Sequence, residues 1–139
     1  MAEAAEQALA RATLVAAEPQ VFVRDIKAAC DFFVQRLGFA VVFVYGEPPY
    51  YAQVKRDGAR VNLRHVDEPV IDPDRQFREF LLSASMTVET TAEIRDLFRE
   101  FESKGVAFRQ ALKRQPWGAL DFIVKDPDGN LLLFAGPAD

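Results

Sequence analysis

Cysteine, histidine and tryptophan occur once each in the 139 residues. With Cys30 alone no internal disulfide can form, which fits a reducing compartment. Cys30 lies in Ala28-Ala29-Cys30-Asp31-Phe32, a helical pattern in which a small buried structural residue is a better reading than a catalytic thiol. His65 is the only imidazole, and the His-Glu-x-x-His metal pattern is absent. Also missing are a Gly-x-Ser-x-Gly elbow, a glycine-rich phosphate loop, a dinucleotide fingerprint and a Cys-x-x-Cys pair. No apolar run is long enough to span a bilayer, so no membrane association is expected. Lysine and arginine never form a run, and the net charge is −4, so nothing marks a nucleic-acid partner.

What is present is a large apolar fraction. Half of the residues are hydrophobic and 12 are Phe, which calls for a packed globule of single-domain size. Met1 to Arg11 is rich in Ala and Glu and lacks a basic start, so it reads as a short helix in an N-terminal extension (1–17) rather than a signal peptide. The cytoplasm is the expected location.

The rest of the chain reads as one unit written twice. A strand is predicted over Pro19 to Arg24, followed by Asp25 as a helix N-cap. Ala29, Phe32, Phe33 and Leu37 follow at helical spacing, and Gly38 is the stop. Strands over Phe39–Tyr45, Tyr50–Lys55 and Ala59–Val66 complete the first unit (18–66), with Asp57-Gly58 as a tight turn. Residues 67–77, with two prolines and several acids, read as a linker. The second unit (78–139) repeats the plan. A strand over Phe80–Val88 leads to the capping box Thr90-Thr91-Ala92-Glu93 and the stripe Ile94, Leu97, Phe98, Phe101. Strands then follow near Val106–Leu112, Leu120–Lys125 and Leu131–Ala135. The fold class is α+β, two βαβββ modules with a sheet-lined cleft between them.

Three segments carry a family resemblance. Val21-Phe22-Val23-Arg24-Asp25, Asp31-Phe32-Phe33 and Arg36-Leu37-Gly38-Phe39 resemble the N-terminal signature of the glyoxalase/bleomycin-resistance/dioxygenase (vicinal oxygen chelate) superfamily. Gln115-Pro116-Trp117-Gly118, Phe122 and Asp126-Pro127-Asp128-Gly129-Asn130 resemble the C-terminal signature of bleomycin-resistance proteins in particular. The resemblance implies two βαβββ modules and a homodimer that exchanges units or strands. It also implies a scaffold shared by isomerases, dioxygenases, epimerases, thiol transferases and drug binders, so fold does not decide activity.

Metal enzymes of the family commonly place one ligand on the first and fourth strands of each unit. Those positions fall here on Glu18, Asn62, Ser83 and Leu133. Only Glu18 is a good donor, so no metal is expected. His65 shares a face with Val61 and Leu63 and reads as a strand-end residue. The alternation places Gln20, Phe22, Tyr51, Gln53, Asn62, Arg64, Ser85 and Asp121 on the cleft face, a mixture suited to a polar, partly flat small molecule. Trp117, at the cleft mouth by resemblance, either stacks on a ligand or closes a subunit interface. Gly46-Glu47-Pro48-Pro49, flanked by tyrosines, reads as a rim or a solvated loop. Asp126 and Asp128 read as turn caps rather than an acid–base pair.

The resemblance thus implies a metal-independent protein that binds and sequesters an antibiotic of the bleomycin type, with no cofactor. The alternative is a lyase, isomerase or dioxygenase of the glyoxalase kind with one divalent metal, in which Glu18 serves as ligand or general base.

Overall fold

A computed structural model describes residues 10–139. The helix expected in the N-terminal extension lies mostly outside the described residues. From Ala10 to Pro19 the backbone has no regular structure, and Leu14 and Val15 are almost wholly exposed.

The first module runs β1 (Gln20–Val23), α1 (Ile26–Leu37), β2 (Ala40–Tyr45), β3 (Tyr51–Arg56) and β4 (Ala59–His65). The second runs β5 (Leu82–Thr87), α3 (Thr91–Ser103), β6 (Ala107–Arg114), β7 (Ala119–Lys125) and β8 (Leu131–Pro137). The sheets have matching orders, β1-β4-β3-β2 and β5-β8-β7-β6, and in each the first strand runs parallel to the last. The βαβββ repeat is therefore real.

Both helices begin and end as their sequences dictate. Asp25 accepts the Ala28 N–H at 3.0 Å, and Gly38 takes the left-handed conformation (φ 74°) that relieves the last turn of α1. Thr90 Oγ1 accepts the Glu93 N–H at 3.1 Å while its hydroxyl donates to Glu93 Oε1 at 2.8 Å. Ile26, Ala29, Cys30, Phe33 and Leu37 bury one face of α1 against Val21, Val23, Ala52, Val54, Val61 and Leu63. Cys30 is part of that core. Burial, and then the neighbouring Asp31 carboxylate, push its thiol pKa upward, away from a reactive thiolate. In the second module Ile94, Leu97 and Phe101 pack on Phe122, Val124, Leu132 and Phe134. In each sheet one face is thus covered by its helix and the other turns away from it, although Gln53, Asp121 and Ile123 are still buried there.

The segment read as a linker contains a helix, α2 (Pro73–Glu79). Asp72 caps it by accepting the Asp74 N–H at 3.1 Å, and Pro73 occupies the first turn, where a missing N–H costs nothing. Gln76, Phe77 and Phe80 therefore do not belong to an extended tether, and β5 begins at Leu82 rather than Phe80. The Arg109 guanidinium lies over the rings of Phe77 (4.1 Å) and Phe80 (3.9 Å), which fixes α2 near the Lys125 end of the second sheet.

The modules are tied by polar contacts. Arg56 forms a two-pronged pair with Glu100 (2.7 and 2.9 Å) and also donates to Leu37 O. Arg36 donates to Lys104 O. Asn130 Nδ2 donates to Phe22 O at 2.9 Å, and the Arg24 N–H donates to Asp128 Oδ1 at 3.0 Å.

The Gly46–Pro49 segment closes the β2–β3 hairpin. Gly46 has φ 104°, and a Cβ there would collide with the Tyr50 ring and sit 2.9 Å from Pro48 O. Tyr50 is held between Tyr45 (5.7 Å) and the Arg64 guanidinium (5.4 Å). Gly46→Ala is expected to cost about 1–2 kcal/mol from the left-handed backbone alone. In a urea melt, a variant as stable as the parent would show that the hairpin tip does not need this geometry.

Candidate functional site

The open face of the first sheet is set by alternation. Val21, Val23, Ala52, Val54, Val61 and Leu63 are fully buried toward α1, so Gln20, Phe22, Tyr51, Gln53, Asn62 and Arg64 face the other way. Register pairs bring Gln20 beside Asn62, Phe22 beside Arg64, and Tyr51 beside Arg64. Phe43 of β2 packs on Tyr51 at 5.5 Å.

A hydrogen-bonded chain runs across this face. Gln53 Nε2 donates both to Glu18 Oε1 at 3.1 Å and to Asn62 Oδ1 at 2.8 Å, while Arg60 donates to Gln53 Oε1 at 2.9 Å. Two of the four family ligand positions, Glu18 and Asn62, are thus joined by an amide nitrogen. Its two hydrogens face the oxygens that a cation would need.

The other two ligand positions sit differently. The β5–β8 register shifts between Leu82 and Ala84, a bulge that takes Ser83 out of the alternation. Ser83 Oγ donates to Asn130 Oδ1 at 3.2 Å and accepts from Gln76 Nε2 at 3.1 Å. Leu133 pairs with Ser85 and Ile123 and offers no donor atom. Among the described residues no group of three His, Cys, Asp or Glu side chains could hold a metal ion. These four positions do not fit a divalent cation. His65 is at a strand end as expected, with Nδ1 2.8 Å from Arg24 O and Nε2 3.1 Å from Asp67 Oδ1.

On the second sheet, Leu120, Phe122 and Val124 point to α3, which leaves Asp121 and Ile123 on the open face with Ser85 and Leu133. Asp121 is only 3% exposed, and its Oδ1 accepts from Gln110 Nε2 at 2.7 Å and Gln115 Nε2 at 3.0 Å. Trp117 lies in the β6–β7 turn that Gln115 closes, and it is 74% exposed.

Neither of two cavities gathers the site residues named from sequence. The larger cavity, about 540 Å³, lies between α3 and the Arg56–Arg60 turn, and only Ser85 of the set lines it. A smaller one, about 240 Å³, lies under the linker and is lined by Gln20, Phe22 and Ser83 with Val66, Val70 and Ile71. The remaining residues stand on two open faces. We regard those faces as the candidate site, because the larger cavity is ringed by the already paired Arg56 and Glu100. Arg60, Gln110 and Gln115 are not among the site residues named from sequence, although Gln115 opens the Gln115-Pro116-Trp117-Gly118 segment. Gln110 sits between two register shifts in β6, which hide its face from a period-two pattern.

Comparison with known proteins agrees with the architecture. The family model "Glyoxalase/Bleomycin resistance protein/Dioxygenase superfamily" matches residues 13–134, and the chain belongs to that superfamily. It is 29% identical over 127 residues to a bleomycin resistance protein of Geobacillus stearothermophilus, covering 84% of this chain and 92% of that protein. In fold it is similar to a glyoxalase/bleomycin resistance protein/dioxygenase of Alicyclobacillus acidocaldarius, with TM-score 0.72 and 21% identity over 88% of this chain and 90% of that one. It is also similar to a bleomycin-binding protein of bleomycin-producing Streptomyces verticillus, solved with copper(II)-bleomycin, with TM-score 0.67 and 22% identity over 93% and 99% of the two chains.

Proposed function

We propose that this protein is a homodimeric, metal-independent binding protein that sequesters a small-molecule antibiotic of the bleomycin type. The observation that carries the reading is the Glu18–Gln53–Asn62 chain, which commits two of the four metal positions of the fold to hydrogen bonds from one amide. Around it stand aromatic rings, amides and Arg64, groups that recognise a large polar ligand by area and orientation rather than by chemistry at one atom. The bleomycin resistance and bleomycin-binding proteins that resemble this chain support the ligand class.

The dimer accounts for the exposed apolar surface. Val41, Val42, Phe43, Val44 and Tyr45 of edge strand β2 are all exposed, as are Leu14 and Val15. Long apolar edge strands are normally covered. A second copy laid on these surfaces closes each open face into a cleft. No described helix is long and apolar enough to cross a membrane, and the net charge of −4 favours a basic small molecule over nucleic acid.

The test is a titration of the single tryptophan's fluorescence with bleomycin, in chelator and then with added zinc or nickel. Saturable quenching that is the same in both conditions is expected. Stoichiometric metal uptake, lost in Glu18→Gln and accompanied by no drug response, would replace this reading with a metal-dependent lyase or isomerase. A sedimentation experiment is expected to return twice the chain mass.

A further inference from the structure

The smaller cavity lies where the two modules meet. Its volume is about 240 Å³, below the about 300–1,000 Å³ of sites for drug-sized ligands, so its occupant is smaller than a glycopeptide drug. One wall is β1, the other is the start of β5, and the linker from Val66 to Pro73 forms the roof. That roof is fixed at both ends. The Val66 N–H donates to Val23 O at 2.9 Å, and Asp72 caps α2. The pocket therefore stands formed before a ligand arrives.

Its lining is amphipathic. Phe22, Val66, Val70, Ile71 and Leu82 supply apolar surface, of which Val70, Ile71 and Leu82 remain exposed. Gln76 also lines the pocket, is 7% exposed, and spends its amide nitrogen on Leu81 O (3.2 Å) and Ser83 Oγ (3.1 Å). A backbone carbonyl can only accept, so the contact with Leu81 fixes which way the Gln76 amide is turned. Gln76 Oε1 accepts no hydrogen bond. No sealed side-chain oxygen lacks a partner among the described residues, so Oε1 stays open to an incoming donor. Two opposite charges complete the lining. The Arg24 N–H donates to Asp128 Oδ1 at 3.0 Å, yet neither side chain forms an ion pair, with the other or with any described residue. A cation and an anion held near each other and left unpaired complement a zwitterion.

We propose that this pocket binds a free aromatic α-amino acid whose ring carries an N–H, with L-tryptophan as the type. The carboxylate pairs with the Arg24 guanidinium and the ammonium with Asp128. The ring lies against Phe22 and Ile71, and its N–H donates to Gln76 Oε1. The proposal goes beyond the drug-binding reading and does not depend on it.

Isotope-labelled protein titrated with L-tryptophan should show saturable shifts at the Gln76 and Asn130 side-chain amides. Each charge is then removed from the ligand in turn. Tryptamine lacks the carboxylate and indole-3-propionate lacks the ammonium. Each should bind about tenfold more weakly, the scale of one lost charge-assisted hydrogen bond. Arg24→Gln should abolish the preference for L-tryptophan over tryptamine and keep that over indole-3-propionate. Arg24 is exposed, and the backbone N–H that bonds Asp128 survives the substitution, so the variant is expected to fold. An Arg24→Gln protein that still prefers L-tryptophan over tryptamine tenfold overturns the proposal. So does the absence of L-tryptophan shifts at Gln76, or equal affinity of the parent for the three ligands, and neither of these results requires the variant.

Discussion

Phe122→Ala is expected to destabilise the protein by about 3–5 kcal/mol, the range for truncating a fully buried aromatic residue. Phe122 has no exposed surface and stands at the centre of β7. Its ring lies 5.4 Å from Phe134 in a stacked arrangement, and 5.2, 5.7 and 5.8 Å from Phe98, Phe108 and Phe101. Each edge-to-face or stacked pair adds to the area term. The cluster joins α3 to three strands, so the hole left by truncation has walls on separate elements and cannot close by moving one of them. Phe122→Leu, which keeps most of the volume, should cost less. Trp117→Ala should change stability little, because that ring is largely in solvent. Urea unfolding at one fixed protein concentration measures all three, since dimerisation would make the midpoints depend on concentration. A Phe122→Ala cost below about 1.5 kcal/mol would mean that the site collapses, contrary to the argument from its walls.

The same cluster shows why the fold was legible in the sequence. Asp25 and Gly38, then Thr90 and Lys104 followed by the left-handed Gly105, punctuate the two helices at corresponding places, and the Asp–Gly turns do the same for the hairpins. The first sheet's faces were also legible, because β1, β3 and β4 keep strict alternation. Where the chain departs from regular pairing, alternation no longer gives the direction of a side chain. At the bulge in β5, Ser83 bonds to Gln76 and Asn130. Two register shifts in β6 conceal Gln110, so Asp121 was placed on the open face but not its donors. Helix α2 is hidden by the two prolines and several acids, Asp72-Pro73 among them, that make residues 67–77 read as a linker. Here the same pair is a cap and a first-turn proline. Strand β2 is apolar on both faces, and nothing in its sequence says that one chain alone would leave it uncovered.

The turn after β7 gives the protein a pH dependence of defined sign. Asp126 is buried, and the loss of water around its carboxylate is the main reason its pKa rises from 3.8 to about 6. Hydrogen bonds from Asn130 and Asp128 oppose the rise, and the Asp128 charge adds to it. Because the folded state holds this proton more tightly than the unfolded chain does, protonation favours folding. The contribution is complete below about pH 4 and is lost as pH rises through about 6. Over the full window it amounts to about 3 kcal/mol, and between pH 7.5 and 5 to about 1.4 kcal/mol. Asp139, whose pKa is lowered chiefly by the hydrogen bond from Arg114, acts with the opposite sign, and only below this window. Asp126→Asn carries no titrating group, so the parent's stability relative to the variant should rise by about 1.4 kcal/mol on going from pH 7.5 to 5. Urea unfolding at the two pH values measures it, and a difference that stays flat would show that the buried carboxylate titrates near its ordinary value. The consequence reaches the modules' junction, since Asn130, held by Asp126, donates to Phe22 O, and Asp128 of the same turn accepts the Arg24 N–H. If Asp126 loosens when ionised, amide exchange at Arg24 should be faster at pH 7.5 than at pH 5 once corrected for intrinsic rates, and Asp126→Asn should remove the difference.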